Sequence, residues 1–364
     1  MLLVSIRKSS GPASIAPFLA GLGRPPALPG SSFESGPCRA CAVRAWLVSG
    51  KLTGALDCLV TGGSGFIGSN LVDALIARGD RVTVIDNLST GKRENLEKAL
   101  AGGAILHEAD IRDAAQVARI LTEARPEVVF HLAAQIDVRY SVAEPAGDAE
   151  SNVIGTIAVL EAAREVQSRR VVFSSTGGGL YGDADVFPTP EDSPIRPMAP
   201  YGQSKLSAEG YCSLYNRLHG LSTVALRYGN VYGPRQDVHG EAGVVAIFCG
   251  RLAEGKPPIV FGDGTQTRDW VEVDDVVRAN LLAAESDVTG PINIGNGQET
   301  SVLDLLDALR EASRDRPLPD PEFAPARLGE VQRSCLDVTR ASDELGWRAE
   351  VGLLDGLERV LKTL

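Results

Sequence analysis

The sequence predicts an α/β protein: a doubly wound parallel sheet followed by a smaller mixed α/β lobe. Three observations carry this. Short β-rich apolar runs alternate with helical patterns from Asp57 onward, the first run leads directly into a glycine-rich turn, and a carboxylate ends the second. The expected strands are Cys58-Leu59-Val60, Arg81 to Ile85, Ala104 to His107, Val128-Val129-Phe130, Arg170 to Phe173 and Thr223 to Arg227. Helical stretches separate them at Gly65 to Arg78, Ala114 to Glu123, Val153 to Val166 and Tyr201 to His219. After Asn230 the spacing loosens and helices predominate (Gly243 to Glu254, Val302 to Ala312, Ser342 to Leu345), which reads as the second lobe.

The chain has 364 residues, 44% of them hydrophobic, enough to bury one large core or two unequal ones. No run approaches the roughly 20 apolar residues of a membrane-spanning helix, so a soluble protein is expected, with no membrane partner. A formal net charge of -11 argues against a nucleic-acid partner, because phosphate backbones are gripped by clustered Lys and Arg. Six scattered cysteines fit a reducing, cytoplasmic setting, and Cys38 with Cys41 lacks the second ligand pair of a zinc site, so no metal is expected. Residues 1–56 carry six basic residues against one acid, with six prolines and no periodicity; they read as an unstructured extension. A transit peptide and an over-extended start both fit that composition.

Strand Cys58-Leu59-Val60 runs into Thr61-Gly-Gly-Ser-Gly-Phe-Ile-Gly68 and then a helix. Glycines there let the backbone turn tightly and approach a pyrophosphate, whose charge meets the helix N-terminus. Asp86 ends the next strand 18 residues after Gly68, where a carboxylate accepts from an adenosine ribose, and its charge favours NAD over NADP. Lys92 and Arg93 in the following loop keep a phosphate-bearing cofactor open. Asp110 after the third strand and Ala133-Ala134 after the fourth stand where strand ends line the crevice, with Asp110 a candidate partner for adenine.

Strand Val171 to Phe173 leads into Ser174-Ser175-Thr176, and 25 residues beyond Thr176 lies Tyr201-Gly-Gln-Ser-Lys205. Tyr and Lys four apart share one helix face. A neighbouring ammonium and a nicotinamide cation both favour phenolate, turning Tyr201 toward a usable general base, while the Thr176 hydroxyl could hold a substrate alcohol. No G-x-S-x-G is present and the four histidines show no Ser-His-acid logic, which disfavours a serine hydrolase.

Together these motifs resemble the extended short-chain dehydrogenases/reductases of the NAD-dependent epimerase/dehydratase type, most closely the UDP-glucose 4-epimerases. Further matches are Asp86-Asn87, His131 to Asp137, Asn152, Arg227 to Arg235 and Gly262 to Trp270, and the resemblance spans Asp57 to about Trp347. It implies a Rossmann domain over 57–230 that binds NAD and a nucleotide-sugar lobe over 231–364, segments of which can return to the first domain. It implies NAD contacts from Gly62, Gly65, Phe66, Ile67, Gly68, Asp86, Asn87, Asp110, Ile111, Ala133, Ala134, Tyr201 and Lys205. It implies a UDP-sugar held by Thr176, Asn230, Arg268 and Arg327, oxidised at C4 while Tyr201 takes the hydroxyl proton, turned over as a 4-keto sugar and reduced on its other face. Ser334 falls near the family's pocket-size gatekeeper, and a small residue there leaves room for an N-acetyl group.

Departures narrow the reading. The turn Ser175 to Gly182 is one residue longer than in the usual epimerase form, which leaves Ser175 open beside Thr176. Gly177 and Gly178 replace the Asp-Glu pair of the 4,6-dehydratases and the Glu of the UDP-glucuronate decarboxylases, removing the acid that water elimination needs. Still open are a UDP-glucuronate or UDP-GlcNAc 4-epimerase, a nucleotide-sugar keto-reductase and a non-catalytic dinucleotide sensor. The resemblance also implies a homodimer joined through Val153 to Val166 and Tyr201 to His219.

Overall fold

In the computed structural model the described residues are 54–237, 243–313, 318–326 and 331–363. The extension expected at 1–56, except for its last three residues, and the Cys38/Cys41 pair lie outside them.

The apolar runs pair side by side. Strands β1 (Asp57–Thr61), β2 (Arg81–Asp86), β3 (Ile105–Glu108), β4 (Val128–His131), β5 (Arg170–Thr176) and β6 (Ser222–Tyr228) match the six expected, with ends displaced by at most one residue except for β5, which runs three residues further. A seventh strand, β7 (Gly290–Ile294), runs parallel to β6, so the chain returns to the sheet well after residue 230. The order is β7-β6-β5-β4-β1-β2-β3, all parallel. It reverses between β1 and β4, opening a crevice beyond their carboxyl ends.

Period-2 alternation sends successive strand residues to opposite faces. Val60, Phe130, Val172 and Leu226 enter one core, packed under α1 (Phe66–Arg78). Leu59, Val129, Val171 and Ala225 enter the other, under α2 (Ala114–Ala124), α3 (Gly155–Glu165) and α4 (Pro200–His219). A π-helical turn, Glu150–Ile154, precedes α3. The first face is completed by α5 (Val273–Glu285), an amphipathic helix absent from the sequence reading.

The buried Arg170 guanidinium holds the end of α5. It donates to the carbonyls of Ala283 at 2.6 Å and Val288 at 2.5 Å and to the hydroxyls of Ser222 and Ser286. A cation at a helix C-terminus meets carbonyls left without intrahelical donors. Burial nevertheless pulls Arg170 down to about 10.

The lobe has its own core. Phe248, Leu252, Trp270, Leu305, Leu309 and Leu357 pack between helices Val244–Ala253, Val302–Ala312 and Leu353–Leu361. Short strand pairs, Asn230–Tyr232 with Trp270–Glu272 and Thr267–Arg268 with Thr300–Ser301, bring its polar residues toward the sheet's carboxyl edge.

Candidate active site

The glycine turn sits where the strand order reverses. Gly62 adopts φ +71°, and its N–H donates to the Ile85 carbonyl at 2.8 Å, binding the turn to the end of β2. A Cβ on Gly68 would lie 2.1 Å from the Gly62 carbonyl oxygen, so the first turn of α1 rests directly on the loop backbone. Gly65 caps α1 without a side chain, leaving the first amides, Phe66 and Ile67 among them, open to an anion.

Asp86 locks this cradle. Its Oδ2 accepts from Ser64 N and its Oδ1 from Leu88 N, each at 2.8 Å, and the residue is buried. One remaining lone pair on each oxygen suits a ribose diol. The bare cradle, the uncapped helix start and the carboxylate together fit a dinucleotide. Farther out, Asn87 donates to Asp110 Oδ2 at 2.9 Å, and Arg112 holds the same carboxylate through its guanidinium and its backbone N–H. That pairing keeps the Asp110 carboxyl well below the usual carboxylate range. Asp110, the candidate partner for adenine, is thus already engaged by Arg112 and Asn87. Ile111 is buried beside Gly155, and Ala133 donates its N–H to Thr61 Oγ1 at 3.2 Å.

His131 ties β1, β4 and the π-helical turn. The Thr156 hydroxyl donates to the Asn152 carbonyl, so it accepts from His131 Nε2; Thr61, which accepts from Ala133, donates to Nδ1 at 2.7 Å. The ring is neutral, with burial pulling it down to about 3.

The two hydroxyls at the end of β5 diverge. Ser175 donates to Glu209 Oε1 at 2.5 Å inside the core, where Glu209 pairs with the buried Arg227. Thr176 faces the other way. A Cβ on Gly179 would meet Thr176 Cγ2 at 2.9 Å, Thr176 Oγ1 at 3.2 Å and Tyr201 Cε1 at 3.6 Å, so Thr176 and Tyr201 both adjoin that glycine. The start of α4 presses close, since a Cβ on Gly202 would be 2.2 Å from the Gly179 carbonyl oxygen. Geometry thus brings Thr176, not Ser175, to the phenol.

Lys205 Nζ donates to the Ser174 carbonyl at 2.9 Å and lies 4.9 Å over the Phe173 ring. Burial lowers it to about 8. The phenol departs from expectation: burial, and then the Asp148 carboxylate, push Tyr201 up to about 12. Both causes disfavour the phenolate, opposite to the lysine effect expected from the four-residue spacing.

The expected nucleotide-sugar residues follow along the same edge. Asn230 lies two residues beyond β6 and donates its N–H to the Asp269 carbonyl at 2.7 Å, next to Arg268, whose guanidinium also donates to the Thr267 carbonyl. Ser334 is buried, with its Oγ 3.6 Å from where a Cβ on Gly178 would stand, and shares a small cavity with Gly177, Tyr181, Phe187 and Cys335. Arg327 lies outside the described residues. The sequence reading missed Asp148, a fully buried carboxylate that accepts from Ser204 of α4.

Residues 58–295 match the model of the NAD dependent epimerase/dehydratase family. The chain belongs to that family. A UDP-glucose 4-epimerase of Mycolicibacterium smegmatis is 47% identical over 307 residues, covering 84% of this chain and 97% of the relative. Two solved structures superpose on this family member. One is the UDP-glucose 4-epimerase of Thermotoga maritima with UDP-glucose, at 48% identity and TM-score 0.81, covering 84% of this chain and 97% of that one. The other is the Thermus thermophilus UDP-glucose 4-epimerase in complex with NAD, at 43% identity and TM-score 0.78, covering 84% and 98%. The cofactor of this family member is NAD, and its Rossmann sheet carries the cradle for it. No helix among the described residues is long and apolar enough to cross a membrane.

Proposed function

We propose that the protein interconverts the C4 epimers of a UDP-sugar of the UDP-glucose/UDP-galactose type. The observation that carries this reading is the placement of Thr176 and Tyr201 against Gly179, at the end of the strand beside the cofactor crevice. Thr176 Oγ1 holds the C4 hydroxyl, and Tyr201 takes its proton and later returns it. Lys205 supplies the cation that stabilises the phenolate. Bound NAD supplies reversible hydride acceptance, and its positive ring offsets the desolvation that raises the phenol. The 4-keto sugar turns in the pocket, so no net redox change results.

Asn230, Arg268 and Arg327 hold the UDP portion, with both arginines on the diphosphate. A chain of net charge -11 needs such local cations to grip a dianion. The enzyme works in the cytoplasm, in galactose metabolism, as a homodimer joined through α3 and α4. Residues 57–230, joined by the returning segment 273–294, form the cofactor domain, and the rest of 231–364 forms the nucleotide-sugar lobe. A second reading rests on Ser334, whose small side chain borders the cavity beside Gly178 and suits an N-acetyl group, so UDP-GlcNAc is a further substrate. Purified enzyme given UDP-glucose, UDP-galactose, UDP-GlcNAc and UDP-glucuronate without added NAD, with products read by NMR, tests both readings. Epimers must form from the first two. Turnover of UDP-glucuronate alone, or consumption of added NADPH, overturns the assignment.

A further inference from the structure

Asp148 is not among the residues assigned to the cofactor, the substrate or the proton transfer. It lies in the short helix Pro145–Ala149 and is fully buried. Its Oδ1 accepts from Gln135 Nε2 at 2.9 Å and Asn152 Nδ2 at 3.0 Å, and its Oδ2 from Ser204 Oγ at 2.5 Å. The three donors come from three places that matter: the loop after Ala133-Ala134, the π-helical turn before α3, and α4 between Tyr201 and Lys205. A buried carboxylate placed where donors converge fixes the elements that supply them.

We infer that Asp148 is a positioning residue for the Tyr201/Lys205 pair, clamping α4 through Ser204 and supplying the negative charge that the buried Lys205 ammonium requires. The inference rests on the reading of those two residues as the acid/base pair. The contacts of Lys205 named above are a carbonyl and a ring face, neither of them an anion, and a buried cation without a counter-charge is costly. The ionisable groups acting on it are Asp148 from Pro145–Ala149 and Glu209 and Cys212 from α4; the neutral His131 lies on β4 beneath it. Asp148 leads these in favouring the ammonium, and it also acts on Tyr201. One carboxylate therefore keeps the lysine cationic and the phenolate strongly basic.

Two variants separate charge from clamp. Asp148→Asn keeps the shape and acceptor for Gln135 and Asn152 but removes the charge; Ser204→Ala keeps the charge but releases the helix. Tyrosinate absorbance of the holoenzyme is followed against pH, as the difference between each protein and its Tyr201→Phe counterpart. In Asp148→Asn the Tyr201 midpoint should fall by about one unit, because a neighbouring anion no longer opposes the phenolate. In Ser204→Ala the midpoint should stay and kcat should drop about tenfold with KM held, the mark of a misplaced base. An unmoved midpoint in Asp148→Asn overturns the charge role, and wild-type kcat in Ser204→Ala overturns the clamp. If Asp148→Asn does not fold, Asp148→Ser removes the same charge with a smaller side chain and the midpoint is read there, while Ser204→Ala decides the clamp. Full turnover in Tyr201→Phe would sink the base assignment itself, a result distinct from either because the midpoint is read without turnover.

Discussion

The Ser175 hydroxyl donates to Glu209 Oε1 at 2.5 Å, turned away from the crevice that its neighbour Thr176 faces. Adjacent residues of a strand point to opposite faces, so one position serves the core and the next the reaction. Ser175→Ala should cost about 1–3 kcal/mol in urea unfolding while kcat per folded molecule holds, since Glu209 loses a buried donor. Thr176→Ala should keep its stability and lose roughly 100-fold in kcat. The reverse pattern would exchange the two roles.

Gly68 packs so tightly on the loop that any side chain must move it: a Cβ there would lie 2.1 Å from the Gly62 carbonyl oxygen. Gly68→Ala is expected to emerge from purification with little NAD, measured after acid release, and with turnover lost in proportion. Retention of stoichiometric NAD would mean that this turn does not cradle the pyrophosphate.

Arg170 fastens α5 to the sheet. Replacing it with Met strands the Val288 carbonyl, to which the native guanidinium donates at 2.5 Å, and leaves the Ala283 carbonyl with the Ser286 hydroxyl alone at 3.1 Å. The expected loss is about 2–3 kcal/mol in equilibrium unfolding, since a stranded carbonyl costs about 1–3 kcal/mol. A loss under 1 kcal/mol would show that water fills the gap.

What the sequence made legible was local. The glycine turn, Asp86 and the Tyr201 to Lys205 spacing each lie within one strand-turn or one helix, where period and spacing determine geometry. The seventh strand escaped because Gly290-Pro291-Ile292-Asn293-Ile294 opens on a glycine and a proline and alternates over its last three residues alone, so only pairing with β6 makes it a strand. The rise of the Tyr201 phenol was equally hidden, because burial is a property of everything packed around a side chain. Asp148 was the least visible, a single acid whose three donors are separated from one another along the chain and meet only in the fold.

Glu272 gives the fold a measurable pH dependence. It is buried, its Oε2 accepts from Asp274 N at 2.6 Å to cap α5, and its Oε1 has no hydrogen-bond partner among the described residues. Burial, helped by Asp274, raises its carboxyl to about 7 from 4.5. The folded state therefore holds a proton that the unfolded chain releases, and the stability this contributes is complete below pH 4.5 and lost as pH rises toward 7. Glu272→Gln keeps the cap acceptor and has no proton to lose. Its stability relative to wild type should climb between those limits and then level off, by up to about 3 kcal/mol at 1.36 kcal/mol per pH unit. Urea midpoints of both proteins at half-unit pH steps would trace this, and a difference constant with pH would mean that water reaches Oε1 and leaves the carboxyl near its ordinary value.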